Sequence, residues 1–138
     1  MPLPTPEPLF RRDHFINREL SLLQFQRRVL AQAADPAVPL LERLRFLCIV
    51  SSNLDEFFEV RVAGVKEQMR LGSLTMTTDG LTPTALHALT SREVHSIIAE
   101  QYALLNDTIL PALAAEGIVF LRRSAWTDAQ HLWARDYF

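Results

Sequence analysis

Residues 39–72, PLLERLRFLCIVSSNLDEFFEVRVAGVKEQMRLG, decide how this chain folds. Leu40, Leu44, Leu47 and Cys48 fall at helical spacing with Leu41 beside them; past a polar triplet, Leu54, Phe58, Val62, Val65 and Met69 recur at intervals of four, four, three and four. That rhythm lays one apolar stripe along a helix, where a strand would alternate faces. Ser51-Ser52-Asn53 interrupts it. Short polar side chains that compete for nearby backbone groups favour helix ends, so the run predicts two helices, 39–51 and 53–71, separate or kinked at the triplet. Gly72 supplies the stop.

Upstream, Met1 to Asp13 hold four of the eight prolines, which predicts a flexible lead-in over 1–12 because proline denies the backbone its donors. Ser21 followed by Gln24 has the pattern of a capping box, and Leu22, Phe25 and Val29 form a stripe joined by Leu23 and Leu30. Asp35-Pro36 and Pro39 end that helix. Downstream, Gly, Ser and Thr over 72–81 predict a loop, and Thr82-Pro83 a strong helix start. Val94, Ile98, Tyr102, Leu105 and Ile109 mark the buried side of a long helix, kinked near Pro111 and stopped by Gly117. Gly117 to Leu121 is short, apolar and β-branched, a strand pattern, and Thr127 with Gln130 opens a further capped helix. A strand alone has no hydrogen-bonding partner, so 117–138 is expected to begin a second domain.

Composition narrows the function. The 138 residues are 49% hydrophobic with net charge -2, enough for one core and too balanced for nucleic-acid binding by bulk charge. Arginine pairs such as Arg27-Arg28 read as solvated faces. The single Cys48 sits in an apolar run and reads as a small buried hydrophobe in a reducing compartment. No stretch approaches a membrane span and no signal peptide is visible, which points to the cytoplasm.

Asp55 and Glu56 are adjacent, and neighbours on a helix point about 100° apart, so they share no site. The four histidines have no metal-ligand spacing, and there is neither a glycine-rich phosphate loop nor a nucleophile elbow. No catalytic residue and no metal ligand is therefore expected here. Asn53 stands out: its amide offers a donor beside an acceptor, the complement of adenine's amino group and ring nitrogen. Its other reading is a cap on the helix that follows.

The segments Phe15-Ile16-Asn17-Arg18-Glu19-Leu20-Ser21, Phe25 to Leu30, Ala33-Ala34-Asp35, Pro39 to Leu47, Ser52-Asn53-Leu54-Asp55-Glu56-Phe57-Phe58 and Val60-Arg61 together resemble the opening of polyphosphate kinases of the long, phosphohistidine type. Residues 72–138 match only loosely. The resemblance implies an N-terminal helical domain, a head domain and two C-terminal domains. The reaction it implies is reversible transfer of the terminal phosphate of ATP to polyphosphate, through a phosphohistidine and with Mg2+, all outside this chain. Asn53 maps onto the family's ATP contact over the base. Leu22 stands where tryptophan is common and Gln26 where asparagine is frequent, departures that bear on how the first helix packs.

The expectation is a mainly α chain: a bundle of about four helices over 13–116, then the start of an α/β head domain over 117–138. Its role would be to cover the adenine side of an ATP site in a homo-oligomeric enzyme acting on ATP, ADP and polyphosphate, with no nucleic-acid partner. The location would be cytoplasmic, with membrane association of the full-length enzyme as an alternative. The rival functions are a non-enzymatic helical interaction module and a standalone nucleotide sensor.

Overall fold

Asn17 opens the first helix, α1 (Arg18–Ala34): its Oδ1 accepts from the amides of Glu19 and Leu20, each at 3.1 Å. The computed structural model describes residues 11–137. Most of the lead-in expected over 1–12 lies outside the described residues, and Arg12–His14 form a short 3₁₀ turn. Ser21, expected as the cap, lies inside α1. Two good capping residues stand four positions apart, and Asn17 takes the role because its Nδ2 also donates to Asp79 Oδ1 at 3.1 Å. That bond ties the start of α1 to the loop ahead of the third long helix.

The polar triplet does not break the second helix. α2 (Leu40–Glu56) passes through a π turn (Phe57–Val62) into α3 (Ala63–Arg70) as one rod. Asn53 therefore caps nothing. Its carbonyl shares the amide of Phe57 with that of Leu54. Asparagine and serine leave helices when they find backbone partners instead; here they find side chains on neighbouring helices. Ser51 Oγ accepts from Gln101 Nε2 at 3.0 Å, and Asn53 Nδ2 donates to Gln26 Oε1 at 2.9 Å. Gly72, at φ 64, ends the rod: the amides of Gly72 and Ser73 turn back to the carbonyls of Met69 and Gln68.

The third rod begins as expected, Thr82 accepting from the Ala85 amide at 3.2 Å with Pro83 in the first turn of α4 (Pro83–Leu104). A π turn (Leu105–Ile109) leads into α5 (Leu110–Ala115). Pro111 accounts for the widened turn: it has no amide, and its ring crowds the carbonyl four residues earlier. Gly117, at φ 82, closes the rod. After a 3₁₀ turn at Arg123–Ala125 comes α6 (Asp128–Tyr137), opened by the expected box: Thr127 N donates to Gln130 Oε1 at 2.8 Å and Gln130 N to Thr127 Oγ1 at 3.3 Å. The strand expected at 117–121 does not form, and no strand occurs among the described residues. A lone extended segment has no neighbour to bond with. The chain is thus mainly α with four helical rods among the described residues, the fourth at 128–137 and not from a break at the triplet.

The core lies where α1 meets α2 and α4. Leu23, Leu30 and Ala33 face Leu47, Val50, Leu54 and Phe57, with Val94, Ile97, Ile109 and Leu113 closing the third side. The buried stripe of α1 is rotated from the expected one, because α1 meets two neighbours: Leu22 and Phe25 stay half-exposed while Gln26 is buried, only 3% exposed. Phe58, Met69 and Tyr102, expected inside, are also exposed, and so is Cys48. Arg27 is no solvated charge: it bridges α1 to α4 through Glu93, Glu100 and Ser96. Its guanidinium, hydrogen-bonded to Glu93 and outweighing partial burial, holds that carboxyl below its ordinary value.

Candidate functional site

Two helical stripes face each other across a groove. Leu22, Phe25 and Gln26 come from α1 at spacings of three and one, so they share one face. Asn53 and Glu56 from α2, with Phe57, Val60 and Arg61 from the π turn, form the other wall. Leu22 and Phe25 can line it because the core already has its stripe one residue along. π turns recur at functional sites, since a wide turn presents side chains that a regular helix would aim elsewhere. Here it lets one rod bury Phe57 and Val62 while Val60 and Phe58 stay exposed.

The groove holds about 260 Å³ and is open on one side. Sites that enclose a small ligand run to roughly 300–1,000 Å³, so this groove does not enclose one by itself. Its walls are apolar, with Asn53, Glu56 and Arg61 supplying polar groups, and an apolar surface with a few aimed polar groups suits a flat heteroaromatic ring. Asn53 is half-buried. One of its Nδ2 hydrogens goes to Gln26. No described residue bonds its Oδ1, and no side-chain oxygen or nitrogen among the described residues is both buried and unpartnered, so Oδ1 reaches solvent while the Asn53 side chain lines the groove.

The other candidates do not converge here. Asp55 and Glu56 are both exposed and, as neighbours on a helix, diverge. His95 Nδ1 meets the Ser91 carbonyl of its own helix at 2.7 Å, and His131 lies against the Trp126 ring. No group of three or more potential metal ligands occurs among the described residues. Asp79, whose carboxyl burial pushes up but hydrogen bonds from Thr77, Asn17 and its own amide bring below normal, serves the cap of α1. A second depression, about 440 Å³, lies between Val119, Leu121 and α6, lined by Trp126 and Trp133. Its surroundings are apolar and exposed: Val119, Phe120, Leu132, Trp133 and Tyr137 all face solvent.

Sequence reasoning singled out Asn53 but placed it at a helix end, and it missed Gln26 as its partner. The signal for Gln26 was a glutamine in phase with Leu23, Leu30 and Ala33, a polar residue on a buried stripe that must find a hydrogen bond.

The chain is similar to known proteins over most of its length. The family profile described as "Polyphosphate kinase N-terminal domain" matches residues 15–121. Over 123 residues, 89% of this chain and 18% of the relative, it is 56% identical to "Polyphosphate kinase" of Paraburkholderia phytofirmans. Over the same shares it is 55% identical to the protein of that name from Burkholderia multivorans and 54% to that from Burkholderia vietnamiensis. The chain thus spans about a fifth of the length of the curated relatives it matches. No solved structure matches it. No helix among the described residues is long and apolar enough to cross a membrane.

Proposed function

The chain belongs to the polyphosphate kinase family as its N-terminal domain, and on that premise we propose that it covers the adenine side of the ATP site of a kinase that transfers the terminal phosphate of ATP, reversibly, to polyphosphate. The observation carrying the proposal is the one-sided groove of α1 and α2 with the Asn53 amide in its wall. The purine lies against Leu22 and Phe25 and meets the Asn53 amide at its edge. The phosphates, the phosphohistidine and Mg2+ belong to later domains, where positioning and charge stabilisation carry phosphoryl transfer. Residues 13–116 are the helical domain. Residues 117–138 start the head domain, whose remaining body covers the exposed apolar side chains around Trp126 and Trp133. The assembled enzyme is a cytoplasmic homo-oligomer that handles ATP, ADP and polyphosphate without a nucleic-acid partner.

Asn53→Ala in the full-length kinase tests this. The KM for ATP rises several-fold, as expected for one hydrogen bond of about 0.5–1.5 kcal/mol net. Stability falls by about 1–3 kcal/mol, because Gln26, only 3% exposed, loses its hydrogen-bond partner. An unchanged KM for ATP removes the reading.

A further inference from the structure

Three arginines among the described residues are half-buried, Arg27, Arg43 and Arg61, and two of them show what partial burial asks of a guanidinium. Arg27 donates to Glu93, Glu100 and Ser96, and Arg43 donates to the Ala33 carbonyl at 2.8 Å. Arg61 lines the groove between α1 and α2, and no described residue hydrogen-bonds to it or forms an ion pair with it. A charge drawn part-way out of water without a partner is unfavourable. Its fork of N–H donors is therefore available to an anion that enters the groove.

Position says which anion. α1 and α2 run antiparallel: Arg43, early in α2, bonds Ala33 near the end of α1, and Asn53, further along α2, bonds Gln26, further back on α1. Leu22 thus lies beyond Gln26 on the side of Arg61. Asn53, Glu56, Phe57, Val60 and Arg61 succeed one another along the opposite wall. The advance from Asn53 to Arg61 is about 12 Å at a helical rise of about 1.5 Å per residue, which matches the length of a nucleoside. A purine lying against Leu22 and Phe25 with its edge at Asn53 runs its sugar along this wall, and the phosphate next to the sugar arrives level with Arg61. Glu56 stands between them at the level of the ribose, whose hydroxyls can donate to a carboxylate.

We infer that Arg61 binds the α-phosphate of the nucleotide, and that Asn53 and Arg61 together set how far along the groove the nucleotide lies. The inference rests on Asn53 being the base contact and carries the site from the base to the near end of the phosphate chain. The phosphate being transferred stays with the later domains. The contact is a charge-assisted pair between guanidinium N–H groups and non-bridging phosphate oxygens, a match of shape as well as of charge.

The experiment measures inhibition of the full-length kinase by AMP and by adenosine, each in competition with ATP. The two differ only in the α-phosphate, so the ratio of their inhibition constants reports on that group. An inhibition constant is independent of the fraction of enzyme that folds, so a variant that merely loses stability leaves both values at those of the parent. Arg61→Gln, which removes the charge, weakens AMP about tenfold and leaves adenosine within about twofold, as expected when a charge-assisted hydrogen bond is lost. Arg61→Lys, which keeps the charge without the fork, recovers part of the loss. Failure of AMP to compete in the parent enzyme, AMP inhibition unchanged by Arg61→Gln, or AMP and adenosine weakened alike overturns the inference. Equal weakening is what Arg61 would give if it held an acidic side chain of a later domain. Asn53→Ala, assayed alongside, separates the two failures. If it weakens neither inhibitor, the base contact itself is wrong; if it weakens both alike while Arg61→Gln leaves AMP unchanged, only the phosphate contact is wrong.

Discussion

Replacing Asn17 by alanine removes two things at once. The first is the cap, Oδ1 accepting from the Glu19 and Leu20 amides at 3.1 Å, a loss of about 1 kcal/mol. The second is the donation from Nδ2 to Asp79 at 3.1 Å, a bond to a carboxylate worth about 1.5 kcal/mol at the lower end of its range, since Asp79 is only half-buried. The sum is about 2–3 kcal/mol. With a urea dependence of about 2 kcal/mol per molar, the unfolding midpoint falls by about 1–1.5 M. Ser21→Ala, inside α1, should stay within about 0.5 kcal/mol of the parent. Acidity gives a second handle. Asp79 has a folded carboxyl below its ordinary value of 3.8 because hydrogen bonds from Thr77, Asn17 and its own amide together outweigh burial. Its stabilisation is therefore present above that value and lost as pH falls through the folded pKa, so the gap between parent and Asn17→Ala narrows in acid. Equal losses for Asn17→Ala and Ser21→Ala, or a gap that widens in acid, would refute the assignment of the cap.

Glu93→Gln should cost about 1 kcal/mol at neutral pH. Glu93 is depressed mainly by its hydrogen bond from Arg27, so its contribution is present above the ordinary glutamate range and lost as pH falls through the folded pKa; parent and variant urea curves should converge there. Cys48, exposed on α2, should be modified by a thiol reagent in the native chain at close to the rate seen in denaturant; strong protection would contradict its placement.

Local signals were the legible part of the sequence. Thr82-Pro83, the Thr127 and Gln130 box, and the glycine stops at Gly72 and Gly117 act within a few residues of themselves, and each stands where expected. The errors arose where a distant residue decides. Asn17 outcompetes Ser21 through Asp79, 62 positions away. Ser51 and Asn53 stay helical because Gln101 and Gln26 meet them from other helices. The phase of α1 shifts because it has two neighbours to satisfy and a single stripe serves only one. For the candidate site, the hydrogen-bonding capacity of Asn53 was readable from its type; its pairing with Gln26 was not, because that partner stands on another helix.

The wide turn at 57–62 lets one rod serve two partners whose phases disagree. A π turn closes its hydrogen bonds one residue further on than an α turn, and one residue of helix corresponds to about 100° of rotation. The first half of the rod is therefore indexed to α1 and the second, Ala63–Arg70, to α4. The turn holds one residue in reserve: a deletion within 57–62 can be absorbed by a return to the tighter α turn, whereas a deletion on either side of it swings one half off its neighbour.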